Sequence, residues 1–204
     1  DVLRLVPGID FGVDVEGVVG IGTRGLWAHE GKILVLLDGQ EINEPLFGIT
    51  PFGNHFAVDQ IKKVEVIRGP GSAIYGGFAE YGVINIITKS AGDLPGIALT
   101  GTFGQMESAK GRRNFNLSAG KKSKDFEFTL GALLGSGNRS DKDYTDIYGN
   151  TYNMAGNSDL NPTHFNVGMA YKGFSARWIM DLYQSTVRDG YDIAKSEPYP
   201  IDFK

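Results

Sequence analysis

Cysteine is absent from the 204 residues, which excludes a disulfide framework and any thiolate metal site. Nowhere do about 18 apolar residues follow one another, so a transmembrane helix is excluded and a membrane protein would have to span with strands. An excess of positive charge is missing as well. The formal net charge is −4, whereas a nucleic-acid surface needs a basic stripe. No Ser/His/Asp motif, nucleophile elbow or recognisably spaced carboxylate pair occurs, so the chain does not read as an enzyme. No signal peptide is seen ahead of Asp1-Val2-Leu3, which for a mature or trimmed chain is uninformative.

Glycine, in contrast, is abundant. Its 29 residues are twice the usual share of about 7% and carry no collagen period, which points to many turns and strands. The stretch that organises the chain is 61–89, IKKVEVIRGPGSAIYGGFAEYGVINIITK. Two β-branched runs, 64–67 and 83–87, are of strand length and bracket a glycine-dense turn at 69–77. Pro70 lacks an amide donor and Gly69 and Gly71 permit positive φ, so Arg68-Gly69-Pro70-Gly71 ends the first strand. Ser72 then caps a short turn through Tyr75. A phosphate loop is not indicated, since no Gly-Lys-Ser/Thr follows.

VEVIRGPGSAIYG followed by GVINIITK closely resembles the plug-domain signature of TonB-dependent outer-membrane receptors. VLRLVPGID at 2–10, Thr23-Arg24-Gly25 and ILVLLDGQEIN at 33–43 fall in the same family's order. The resemblance covers about residues 1–92.

For that part, a small α+β domain around about four short strands is expected. Residues 1–6 look like the tail of a helix broken by Pro7-Gly8. Ile33–Leu37 reads as the buried central strand with Asp38-Gly39 as its turn, 44–56 as a loop, and 58–63 as one helical turn. The expected core is Leu3, Leu5, Ile33, Val35, Leu37, Val64, Val66, Ile84 and Ile86.

From 93 to 204 the texture changes to long alternating strands. Phe126, Phe128, Leu130, Ala132 and Leu134 alternate with Glu127, Thr129 and Gly131. Phe165, Val167, Met169 and Tyr171 form a second such series, and Phe174, Ala176, Trp178, Met180 and Leu182 a third. The segments 97–103 and 115–119 repeat the pattern more weakly. Period-two segments of roughly ten residues mark outer-membrane barrel strands, with tight turns at 120–124 and 172–173 and longer connections at 104–111 and 135–162. Tyr171, Phe174 and Trp178 are girdle candidates. A soluble β-sandwich would also alternate, but with strands of about 5–6 residues. Five strands cannot close a plugged barrel, which takes about 22, so the first part of a longer protein is expected.

The fold expected is therefore an α+β plug domain followed by antiparallel transmembrane β-barrel strands. The resemblance implies an outer-membrane receptor that binds a scarce ligand (ferric chelate, haem, cobalamin or oligosaccharide) and imports it through a plug-gated barrel. Energy would come from the TonB complex through a segment not in this chain. A small-molecule or chelate ligand, outer-membrane lipid and a surface lipoprotein are the other partners it suggests; no cofactor and no nucleic acid are. A structural or docking subunit of an outer-membrane assembly, with transport lost, is the alternative.

The resemblance also assigns residues. Arg24 and Arg68 would pair with glutamates on the inner barrel wall, as a partly desolvated guanidinium requires; solvated surface arginines are the plain alternative. Gly69, Pro70, Gly71, Ser72, Tyr75 and Gly76 form the signature turn. Phe11, Asp14, Glu16, Phe47, Asn54, His55 and Phe56 sit in the loops that would face the ligand. His29 and His55 lack any metal-ligand spacing, so no metal is assigned.

Overall fold

The computed structural model describes residues 2–13, 19–28, 31–45, 48–49, 52–94, 96–146, 148–192 and 197–203. They fall into two units, one of Asp1–Gly53 with Val58–Lys89, the other of Asn54–Ala57 with Ser90–Lys204.

In the first unit a 3-10 turn, Val2–Leu5, precedes β1 (Ile9–Val13), β2 (Val19–Thr23) and β3 (Leu26–Ala28), a three-stranded antiparallel meander. A Cβ on Gly12 or Gly20 would lie 2.5 Å from the Trp27 ring. The glycines of this stretch thus leave a bare backbone on which an indole lies flat. A second sheet has the order β5-β4-β7-β6, from β4 (Ile33–Leu37), β5 (Gln40–Glu41), β6 (Ile61–Arg68) and β7 (Gly82–Thr88). Between β6 and β7 lies one helical turn, α1 (Ser72–Tyr75).

β4 pairs parallel with β7, and all five of its residues are buried. A strand covered on both faces reads as a continuous apolar run, which ILVLL is. Ile33, Val35, Leu37, Ile84 and Ile86 are core residues as expected, and Leu34, Leu36, Ala79 and Val83 form a cluster that the expected core did not include.

Three expectations need correction. Leu3 is buried but Leu5 is 82% exposed: at three residues per turn, positions two apart cannot share a face. Val64 and Val66 are only partly buried, because β6 is the outer strand of its sheet, next to β7 alone. The helical turn expected at 58–63 is a 3-10 turn over Val58–Gln60, and the strand begins at Ile61, paired with Thr88.

The second unit carries a six-stranded antiparallel sheet in the order β15-β14-β13-β10-β9-β8. Its strands are β8 (Ile97–Gln105), β9 (Lys110–Lys122), β10 (Phe126–Ser136), β13 (Leu160–Tyr171), β14 (Phe174–Asp192) and β15 (Glu197–Phe203). A hairpin of β11 (Asp143–Thr145) and β12 (Thr151–Asn153) stands in the long connection between β10 and β13. Among the described residues no helix is long and apolar enough to cross a membrane.

The register sorts the strands into two faces. One transverse row runs Thr100, Asn116, Leu133, His164, Asp181; the next runs Leu117, Ala132, Phe165, Met180. One face is thus predominantly polar. The other carries Phe115, Leu134, Met169, Trp178 and Leu182, all well exposed. Six strands stand where five were expected. The added one, EPYPIDF, carries Pro198 and Pro200, residues that lower strand propensity.

Candidate functional site

The plug-signature turn is built by backbone geometry. Gly69 (φ 118°) and Gly76 (φ 81°) hold left-handed conformations. Gly69 N–H donates to Tyr81 O at 3.0 Å and Gly71 N–H to Ala79 O at 2.7 Å. Gly71 O accepts from the amides of Ile74 and Tyr75, both at 2.9 Å, closing the single turn of α1. A Cβ on Gly71 would stand 3.1 Å from Val83 Cγ2, so a larger residue would press on the core. Pro70 and Tyr75 are exposed.

Arg24 and Gly25 (φ 52° and 80°) form the two-residue turn between β2 and β3, with left-handed values that suit a tight hairpin. Arg24 is exposed, and its amide donates to Gly8 O at 3.1 Å. Arg68 ends β6 and is exposed; its Nη1 donates to Pro7 O at 3.1 Å. Among the described residues neither arginine has an ion-pair partner.

Two polar residues of the ILVLLDGQEIN stretch hold the first unit together. Asp38 (φ 50°) and Gly39 (φ 83°) make the expected turn. The Asp38 carboxylate also accepts from the Thr88 amide at 2.8 Å and the Thr88 hydroxyl at 2.7 Å. Asn43, 6% exposed, accepts the Val35 amide at 2.7 Å and donates to Ile33 O and Gly48 O, both at 3.0 Å. Its side chain extends the ladder on the side of β4 where β5 is only two residues long. Sequence reasoning quoted Asn43 without giving it this role.

Of the loop residues expected to meet a ligand, Asp14, Glu16 and Phe47 lie outside the described residues. Phe11 meets Phe52 edge to face at 6.5 Å between centroids. Asn54, His55 and Phe56 belong to the second unit, where their side chains engage its strands. Asn54 and Asn114 exchange two amide hydrogen bonds, at 3.1 and 2.6 Å. His55, 7% exposed, places Nδ1 2.7 Å from Asp181 Oδ2 and stacks on Tyr183 at 3.7 Å. Phe56 stands edge-on to His164 at 5.0 Å.

His164 is 2% exposed; its Nδ1 lies 3.4 Å from Asp181 Oδ1 without meeting hydrogen-bond geometry. Asp181 therefore stands between two imidazoles. Among the described residues, however, no three His, Asp or Glu side chains converge so as to hold a metal ion. Sequence reasoning missed His164, Asp181 and Tyr183. The signal for the pair was the Lys172-Gly173 turn, whose two-residue length sets His164 opposite Asp181.

A third polar cluster ties two connections of the second unit. Asp141 Oδ2 accepts the Ser108 amide at 2.8 Å. That hydrogen bond holds the Asp141 carboxyl below its ordinary value of 3.8.

Residues 1–83 match the family model described as TonB-dependent Receptor Plug Domain. The vitamin B12 transporter BtuB of Vibrio vulnificus is 39% identical over 120 residues, which are 57% of this chain and 18% of that protein. Among solved structures, the FrpB iron transporter of Neisseria meningitidis (F3-3 variant) superposes with a TM-score of 0.62 at 18% identity, covering 98% of this chain and 33% of that one. The ferric citrate transporter FecA in its unliganded form gives a TM-score of 0.62 at 18% identity, covering 95% and 30%. The ferric yersiniabactin uptake receptor FyuA from Yersinia pestis gives 0.56 at 16%, covering 92% and 29%. The chain spans about a fifth of the transporter's length and about a third of the solved receptors'.

Proposed function

The chain belongs to the TonB-dependent receptors, as a plug domain with the first strands of the barrel, and from that premise we propose that the full-length protein is an outer-membrane importer of a scarce ligand. The observation that carries this reading is the two-faced sheet that follows the plug. Its apolar face presents Phe115, Met169, Trp178 and Leu182 to lipid, and its polar face carries Asn116, His164 and Asp181, the arrangement that spanning strands of a barrel require. The plug blocks the lumen at rest. Pull by the TonB complex, through a segment outside this chain, rearranges it.

Within this reading the exposed Arg24 and Arg68 pair with carboxylates of barrel strands outside this chain. The loop candidates Phe11, Asp14, Glu16, Phe47, Asn54, His55 and Phe56 remain the residues proposed to face the ligand. Cobalamin is the first ligand to test, because a relative 39% identical over 120 residues is a vitamin B12 transporter; ferric chelates, haem and oligosaccharides follow.

Native mass spectrometry of the full-length protein, extracted gently from outer membranes, tests the proposal. Mass added by a bound small ligand, with or without one lipoprotein, is the expected result. A stoichiometric complex with several other proteins and no ligand would favour a docking subunit instead, and absence from the membrane fraction would overturn the barrel.

A further inference from the structure

The chain passes out of the first unit after Gly53 and re-enters it at Val58. Between these points three consecutive side chains reach three different strands. Asn54 meets Asn114 on β9, His55 meets Asp181 and Tyr183 on β14, and Phe56 meets His164 on β13. We propose that Asn54–Ala57 is a fixed pin, which keeps its place on these strands when the sheet of the first unit opens.

The contacts differ in kind and do not substitute for one another. The Asn54–Asn114 pair is reciprocal, each amide donating once and accepting once, so it fixes orientation as well as distance. His55 is gripped twice, with the Asp181 carboxylate 2.7 Å from Nδ1 and the Tyr183 ring stacked on its face at an interplanar angle of 17°. Phe56 meets the His164 ring at 89°, the edge-to-face arrangement that aromatic quadrupoles favour. Ala57, only 4% exposed, completes the segment.

The pin has its own swivel. Gly53 (φ 94°) and Asn54 (φ 84°) are consecutive left-handed residues, a conformation open to Gly and Asn more than to other residues. The core of the first unit rests on other side chains, the Leu34, Leu36, Ala79 and Val83 cluster. Opening that cluster removes none of the contacts that hold the segment. Local stability then divides the chain at Gly53 and Val58, as cooperative units of unequal stability do.

The test needs neither the ligand nor TonB. In the full-length protein kept in outer membranes, Ala79→Cys reports opening of the first unit, since Ala79 is fully buried and reacts with a maleimide only when its cluster opens. Asn54→Cys with Asn114→Cys reports the pin by disulfide formation. Across the urea range in which Ala79→Cys becomes labelled, the 54–114 crosslink should lose no more than about two-fold in yield. Adding Asp181→Ala should make the crosslink fail in step with labelling, whereas Asp181→Asn, which keeps an acceptor for His55, should preserve it. If the amide pair cannot be replaced without misfolding, Phe56→Cys with His164→Cys serves as the reporter. Loss of the crosslink at the same urea concentration as labelling, with Asp181 intact, would overturn the pin.

Discussion

Asn43 shows how much of this fold rests on single amides. One side chain serves the Val35 N–H and two carbonyl oxygens, all from a buried position. Asn43→Ala leaves those groups without it, and a buried unsatisfied group costs about 1–3 kcal/mol, so a loss of roughly that size is expected. Urea unfolding should show it as a lower midpoint at unchanged slope. Asp141 makes a pH-dependent contribution. Its carboxyl is depressed below 3.8 in the folded protein, so the stabilisation it supplies is complete above that value and is lost as pH falls through the lower, folded one. Exchange protection of the Ser108 amide should therefore hold from neutral pH down to about 4 and decline below it; Asp141→Asn should flatten that decline. At this scale the turn residues were legible in the sequence, because Asp38-Gly39 and Gly69 act through their own backbones. Asn43 and His55 were not. Their partners, Val35 and Asp181, are set by the path of the chain, and nothing local in the sequence names them.

Among the elements, period-two alternation was the strongest signal and it held. Phe165, Val167 and Met169 share a face with Met180, Trp178 and Ala176 across β13 and β14. Replacing Val167, which pairs with Leu130 and Trp178, by Arg would place a charge on the lipid face at a cost of about 2–4 kcal/mol near the bilayer midplane. Refolding of the full-length protein into lipid vesicles should show that loss, whereas Thr100→Arg, exposed on the polar face, should come close to the unchanged protein. The elements misread were those where alternation or propensity speaks least. β15 contains two prolines. β4 was read as the buried central strand that it is, and only its Leu34 and Leu36, which join the cluster with Ala79 and Val83, were missing from the expected core. Leu5 failed because a 3-10 turn does not repeat as an α-helix does.

At the scale of the whole molecule, the glycine excess, the absence of any long apolar run and the alternating second half belong to one design. A small α+β plug is followed by strands whose polar and apolar faces are separated residue by residue. Each feature alone admits other folds, and the ordered plug motifs are what join them. The proposed activity is import energised by TonB. The most direct measurement is growth limited by cobalamin, in cells lacking their own cobalamin receptor and supplied with the full-length gene, with TonB present or deleted. Growth restored at limiting cobalamin only when TonB is present is the predicted result. Growth restored equally without TonB, or no TonB-dependent uptake of cobalamin, haem, oligosaccharide or any ferric chelate, would contradict it.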